Sequence, residues 1–478
     1  MFRRFLILLM LLCVPRVLAQ ALPDMGDSSG AAISPADERR LGESIMHEIR
    51  RDPAYVDDPE VSDYANSLGR RLTVHSTESK QEFEFFVVRD PQINAFALPG
   101  GFIGIHTGLL LAAQSESEVA GVLGHEISHV TQRHIARMIG RQGQDQMLIL
   151  AAMALSVLAA SSNSQLGAAA ATFGQAGAIQ NQINFTRDHE READRIGVQL
   201  LDAAGFDPQG MSAFFERLQR ATRLYETGAS SYLRTHPLTH ERIADIQNRV
   251  EKMPYRQVPD SLEFQLIRAK LRAGTDAPRE ALAFFEAGLA ERKFLSETAN
   301  RYGLVTSLMR LRDFARAQRE LALLRKTPSA IIETLACRFA DATGDAAGAL
   351  SCYQSALATY PNYRALVYGH ADQLLRANQP AVALKLVESR LQAQPEDVQL
   401  YWLQARAYAA QGRLLLQHRA QAEAYVRSGQ LGAAVEQLQI ALKAGQGDFY
   451  QLSATEARLR ELRRLQAEQK RNKRPGGP

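Results

Sequence analysis

The feature that most constrains this chain is His125-Glu126-Ile127-Ser128-His129, two histidines four residues apart with a glutamate after the first. On an α-helix, residues four apart lie about 40° apart around the axis, so both imidazoles reach one point from one face. Glu126 is turned about 100° from His125, near enough to hold a water at that point. The run from Ser115 to Gln132 reads as a helix, with Ser115 as N-cap and Val119, Val122, Leu123 and Ile127 as its apolar side. Residue types and spacing together favour a metal over a solvated helix face.

A metal that activates water takes three protein ligands and keeps one position open. His134 is the nearest further histidine, but five residues beyond His129 it lies about 140° round a continued helix. The position six past His129, where another pattern places a third histidine, is Ile135. Downstream, Glu190-Arg191-Glu192-Ala193-Asp194 puts Glu190 and Asp194 on one helix face. Alone, such a run is a charged, salt-bridged helix. Beside the upstream histidines, Glu190 becomes the candidate third ligand and Asp194 the candidate acceptor for the outer N–H of a ligand imidazole.

These motifs resemble those of the zinc peptidases that include the CAAX prenyl proteases and HtpX, over roughly residues 35–250. Asn94-Ala95-Phe96-Ala97-Leu98-Pro99-Gly100-Gly101, then Ile103-Gly104-Ile105, is similar to the family's active-site hairpin, and Glu116 and Glu118 also match. The resemblance implies one zinc ion per chain held by His125, His129 and Glu190, with Glu126 as general base. Two imidazoles and a carboxylate suit zinc. An edge strand through Asn94, Ala95, Phe96 and Ala97 lets an extended substrate add by backbone hydrogen bonds, and ordinary sheet packing of Phe96 and Leu98 is compatible with that.

In the soluble periplasmic branch of the family, a histidine in a His-Pro setting occupies the fourth zinc position. Thr235-His236-Pro237-Leu238, just before a helix capped by Thr239, offers His236 for that role, which would make the resting site latent. A plain loop histidine is the alternative, and His240 is a competing imidazole one turn on. Arg242 fits a family arginine near the active site. It has two readings: stabiliser of a tetrahedral oxyanion, or partner of Glu241 or Asp245.

The 478 residues are long enough for two or three domains. Residues 1–19 read as a signal peptide, with Arg3 and Arg4 before the apolar run Phe5–Val14 and small residues near Ala19. Removal of Arg3, Arg4 and Arg16 brings the formal charge from +4 to +1, which gives no electrostatic case for nucleic acid. Residues 20–33 form a Gly/Ser-rich lead, and 34–250 the peptidase domain. Within it, the strand Phe83–Val88 precedes the hairpin. Met147–Ala160 is apolar but too short to span a bilayer. It reads as a plain buried helix, or as a lid that also touches a partner or a membrane surface.

Pro254 and Pro259 mark 251–262 as a linker. Beyond it, residues 263–469 carry a helical repeat. Small residues at the helix-crossing position recur at Ala281, Ala317, Ala349, Ala383 and Ala434, with spacings of 36, 32, 34 and 51. The last is one and a half tetratricopeptide units. Cys337 and Cys352 fall on the two helices of one predicted hairpin and suit a disulfide in an exported protein; two buried thiols are the alternative. Residues 470–478 read as a disordered tail. The fold class expected is α+β: a mainly helical zincin-like domain with a small β-sheet, then an all-α repeat domain.

The resemblance implies a periplasmic zinc endopeptidase of a Gram-negative bacterium. Its implied targets are unfolded or misassembled outer-membrane barrel proteins, or stalled lipopolysaccharide translocon components. The repeats would dock on the outer-membrane assembly machinery. The alternative is a chaperone or scaffold that works mainly through its repeats and cleaves little.

Overall fold

The computed structural model describes residues 33–76, 81–142, 187–224, 232–233 and 236–472. The expected signal peptide, nearly all of the Gly/Ser-rich lead, and the apolar Met147–Ala160 segment lie outside them.

Helix α1 (Pro35–Ile49) starts where Ser34 accepts from the Asp37 N–H, and α2 (Pro59–Thr73) where Asp58 accepts from Glu60 and Val61. Both have proline in the first turn, where no backbone N–H is missed. Three strands follow: β1 (Glu84–Val88), β2 (Ala95–Leu98) and β3 (Phe102–His106), in the order β1-β3-β2. β1 runs parallel to β3, and β2 pairs antiparallel with β3 from Ala95 opposite Ile105 to Leu98 opposite Phe102. The hairpin turn needs glycine: Gly100 and Gly101 have φ of 79° and 90°.

The two sheet edges differ. On β1, Asn66 mimics a neighbouring strand, donating to the Phe85 carbonyl at 2.7 Å and accepting from its N–H at 3.0 Å. Val56 N–H donates to the Val87 carbonyl. Among the described residues no strand pairs with the outer edge of β2.

After the short α3 (Thr107–Ala112) comes α4 (Glu116–Thr131), capped by Ser115 and buried at every residue but Val130. α5 (His134–Gln142), α6 (Arg187–Ala203), α7 (Gln209–Leu224) and α8 (His240–Val250) complete the domain. α4 and α6 touch backbone to backbone: a Cβ on Gly197 would lie 3.0 Å from the His125 nitrogen, and one on Gly124 3.0 Å from the Gly197 carbonyl oxygen. That contact brings Glu190 and Asp194 to the two histidines.

The segment 251–262 has no regular structure before α9 (Leu262–Thr275), yet it is tied down. Asp260 accepts from the Glu116 N–H at 2.7 Å, and Ser261 donates to the Glu116 carboxylate at 2.8 Å. The N-terminus of α4 is thereby fixed to the start of the array.

The array continues as α10 (Pro278–Glu291), α11 (Glu297–Arg310), α12 (Phe314–Leu324), α13 (Ala330–Ala342), α14 (Ala346–Thr359), α15 (Arg364–Arg376) and α16 (Pro380–Ala393). It ends with α17 (Val398–Ala410), α18 (Leu414–Arg427), α19 (Leu431–Lys443) and α20 (Phe449–Asn472). Ala281, Ala317, Ala349, Ala383 and Ala434 are all fully buried at helix crossings. The long 51-residue interval spans α18, which packs against both α17 and α19 and carries Gln417 rather than a small residue 34 positions after Ala383. Cys337 on α13 and Cys352 on α14 form a disulfide. α20 runs through Asn472, into the residues read as a tail.

The array curls around the peptidase domain. Lys270 reaches Asp58 at 2.6 Å, Arg364 reaches Asp63 at 2.6 Å, and the Tyr363 hydroxyl donates to Glu60 at 3.2 Å. At the far end, His47 on α1 lies 2.8 Å from the Ser428 carbonyl. A cleft of about 1080 Å³ remains between α1, α2 and β1 on one side and α15, α17, α18 and α20 on the other. No helix of the described residues is long and apolar enough to cross a membrane.

Candidate active site

His125, Glu126 and His129 project from the buried helix α4, Glu190 and Asp194 from α6, and His236 from the stretch before α8. Ligand atoms of His125, His129, Glu190 and His236 all lie within 4.8 Å of one another. The two Nε2 atoms of His125 and His129 are 3.0 Å apart. Glu190 oxygens are 3.5 Å from His125 Nε2 and 3.4 Å from His129 Nε2. His236 Nδ1 is 3.4 Å from His125 Nε2 and 3.0 Å from Glu190 Oε1. Four ligands about 2.0–2.1 Å from a tetrahedral centre are about 3.4 Å apart, so these edges and donor types fit zinc. Burial sharpens the fit, since three imidazoles and one carboxylate converge there at 0–3% exposure.

Each of these groups is backed. Asp194 Oδ1 accepts from His125 Nδ1 at 2.9 Å, which keeps that hydrogen on the outer side and turns Nε2 toward the other ligands. Arg242 then grips Asp194 with two hydrogen bonds of 2.7 and 2.8 Å, donates to the Pro237 carbonyl at 2.8 Å, and pairs with Glu190 at 2.7 Å. The pairing of Arg242 with Glu241 or Asp245 is corrected by this. Glu241 pairs instead with Arg191, and Asp245 with Arg249, because both point outward from α8. Every nitrogen of the Arg242 guanidinium is committed to holding carboxylates and the His236-Pro237 loop. His240 is exposed at the start of α8 and outside the group of four.

Burial would raise the Glu190 and Asp194 carboxyls, but the imidazoles around Glu190 and the Arg242 bonds to Asp194 hold both below the usual carboxylate range. Burial presses His125 down, yet hydrogen bonds to Asp194 and Glu190 outweigh it and hold it up at about 9. On His129 burial wins, at about 3. Burial also raises Glu126, against the pull of His236, His125 and the Ala97 backbone. Glu126 Oε1 lies 3.6 Å from His236 Nε2.

The edge strand β2 runs beside α4 at this point. Ala95 is buried and Phe96 and Ala97 are half-buried, with Asn94 leading in and its carbonyl accepting from the His106 N–H. Phe96 packs edge-on against His106 and Phe86.

The family model described as Peptidase family M48 matches residues 59–250. The chain is 34% identical to the "Beta-barrel assembly-enhancing protease" of Escherichia coli (strain K12) over 453 residues, 94% of this chain and 92% of that one. It belongs to peptidase family M48. A "Putative beta-barrel assembly-enhancing protease" of Vibrio cholerae is 38% identical over 66% of each chain. The "Mitochondrial metalloendopeptidase OMA1" of Schizosaccharomyces pombe is 33% identical over 41% of this chain and 54% of its own. The family resemblance read from the motifs is thus borne out, and the chain is an M48 metallopeptidase.

Three neighbours of the site had no role assigned from the sequence. Tyr232 is buried, its ring 4.8 Å from that of His236, and its carbonyl accepts from the His236 N–H at 2.8 Å. His134 is no ligand, but its Nδ1 lies 2.9 Å from His129 Nδ1. Glu192 lies behind His134, 3.1 Å from its Nε2. A continued helix would carry His134 about 140° round from His129. α4 instead ends at Thr131, and Arg133 takes the left-handed φ of 51° before α5 begins.

Proposed function

We propose that this M48 metallopeptidase is a latent zinc endopeptidase of the periplasm that removes outer-membrane barrel proteins stalled in assembly. His125, His129 and Glu190 would hold one zinc, and His236 would fill the fourth position at rest. The observation that carries the reading is the place of His236, 3.0 Å from Glu190 and 3.4 Å from His125. A zinc ion held there would lower the pKa of a water and polarise a scissile carbonyl.

The rest of the chemistry belongs to the chain. An extended client adds to the outer edge of β2 along Ala95–Ala97, which places its backbone over Glu126. Displacement of His236 opens the space beside the Glu126 carboxylate. Glu126 takes a proton from water and returns it to the leaving amine, a task favoured by a carboxyl raised through burial. Asp194 and Arg242 hold His125 and Glu190 in place throughout. The array supplies a surface for clients or for the assembly machinery. The shared name of the bacterial relatives supports that setting.

A second reading, that repeat-mediated chaperoning outweighs cleavage, is favoured by the depth of the site, with His236 only 2% exposed. One experiment separates the two: cleavage of an unfolded protein by wild type, Glu126→Gln and His236→Ala, with and without chelator. Faster cleavage by His236→Ala, with Glu126→Gln and the chelated protein inactive, is the expected result. Slower cleavage by His236→Ala would remove latency. Full biological rescue by Glu126→Gln would leave the chaperone reading standing alone.

A further inference from the structure

The two ligand histidines on α4 are not backed alike. His125 meets a carboxylate directly, Asp194 at 2.9 Å. Behind His129 stands a second imidazole, with His134 Nδ1 2.9 Å from His129 Nδ1 and the rings at 78°. Such a near-perpendicular pair suits an N–H on one ring aimed at the lone pair of the other. His134 Nε2 then lies 3.1 Å from Glu192 Oε2, which also accepts from Arg137 Nη1 at 3.0 Å. His134 is buried, and its outer face is stacked on His189 at 4.4 Å and 16°.

Proton positions follow from the hydrogen-bond directions. Glu192 can only accept, so His134 Nε2 carries a hydrogen. In a neutral His134, Nδ1 is then left to accept, so His129 Nδ1 donates. That leaves His129 Nε2 bare, aimed at His125 Nε2, Glu190 and the centre of the four ligands. The opposite tautomer of His129 would put a hydrogen where the lone pair is needed.

The geometry assigns His134 as the positioning residue for His129, part of a Glu192–His134–His129 relay that sets the ligand tautomer from the surface inward. The assignment rests on the zinc reading above. Two features make the relay more than packing. The left-handed Arg133 turns the chain so that His134 folds back behind His129. Two α6 residues face it, His189 on its ring and Glu192 on its nitrogen, from the same helix that supplies Glu190 and Asp194. One helix therefore sets the tautomers of both ligand histidines, one directly and one through an intermediary.

The test is equilibrium zinc binding by chelator competition, on the full chain as wild type, His134→Phe, His134→Asn and Glu192→Leu. His134→Phe keeps a flat ring against His189 but removes the acceptor. Losing a hydrogen-bond partner behind a ligand costs about 10–100-fold in metal affinity, and that is the loss expected. His134→Asn restores an oxygen near the Nδ1 position and should recover part of it. Glu192→Leu, at a side chain 28% exposed and so tolerant of change, should weaken zinc by a smaller factor than His134→Phe. Zinc binding by His134→Phe within about twofold of wild type, or His134→Asn as weak as His134→Phe, overturns the relay and leaves the zinc site intact. If His134→Phe does not fold, unchanged affinity in Glu192→Leu overturns it instead. A wild-type chain that binds no zinc overturns the zinc reading itself, and the relay with it.

Discussion

The α4–α6 centre and the repeat array hold themselves together by different means. Around the metal site, five ionisable side chains on α4 and α6, with His236 and Arg242, sit at 0–3% exposure, each in contact with another of the group. In the array, helices cross at buried alanines, and charges pair on the outside, as in Arg376–Asp341 and Arg316–Glu286. Buried charges are costly unless every partner is present, and the damage when one is removed far exceeds what the pair contributes as a whole. Exposed pairs are screened and worth little. The centre therefore has precise geometry and little tolerance, whereas the array tolerates change at its exposed charges.

Removing Arg242 should break this contrast open most visibly. Arg242→Met keeps the length of the side chain but leaves Asp194 and Glu190 as buried carboxylates and releases the Pro237 carbonyl. A loss of about 3–5 kcal/mol is expected for an uncompensated buried charge, read by denaturant unfolding of the metal-free chain. A loss below about 1 kcal/mol would mean the arginine is dispensable to the centre. Gly197→Ala tests the backbone contact instead. Its Cβ would fall 3.0 Å from the His125 nitrogen and 3.1 Å from the Gly124 carbonyl carbon, where only backbone can give way. Overpacking of this kind costs about 1–3 kcal/mol. It should also shift α6 from α4 and weaken metal binding, so an unaffected metal affinity would show that the contact does not set the ligand geometry.

The same contrast decides what could be read without coordinates. Period and spacing place the α4 histidines, the Glu190–Asp194 face, the hairpin and the five crossing alanines, because each depends on neighbours a few residues away. Arg242 was paired by sequence with Glu241 or Asp245, yet its partners come from α6, 48 residues earlier for Asp194. His134 was set aside as a ligand on helical spacing and lies outside the group of four, but its place behind His129 was not legible, because an arginine in the left-handed region at 133 carries no signal. The prolines of 251–262 marked a linker, and the Asp260 and Ser261 bonds to Glu116 are legible only once α4 and α9 meet. Tyr232, four residues before His236, stood in no motif. In each case the missing partner lies beyond the reach of local periodicity.

At the small end of the scale, Arg376→Ala should barely register. Arg376 lies on α15 and bonds Asp341 of α13 at 2.9 Å and Asp372 on its own helix at 2.7 Å, with the arginine side chain 56% exposed. Water already solvates both ends of such a pair, and ordering a long side chain offsets most of the attraction, so about 0.2–1 kcal/mol is expected. Asp372 also keeps a second cation, Arg406 at 2.7 Å, which limits the loss further. The check is the midpoint of denaturant unfolding at low and high salt. The small difference from wild type should shrink as salt rises, because exposed charges are screened over about 10 Å at 0.1 M. A salt-independent loss above about 2 kcal/mol would show that the array, too, depends on a desolvated charge, and the distinction between the two regions would fail.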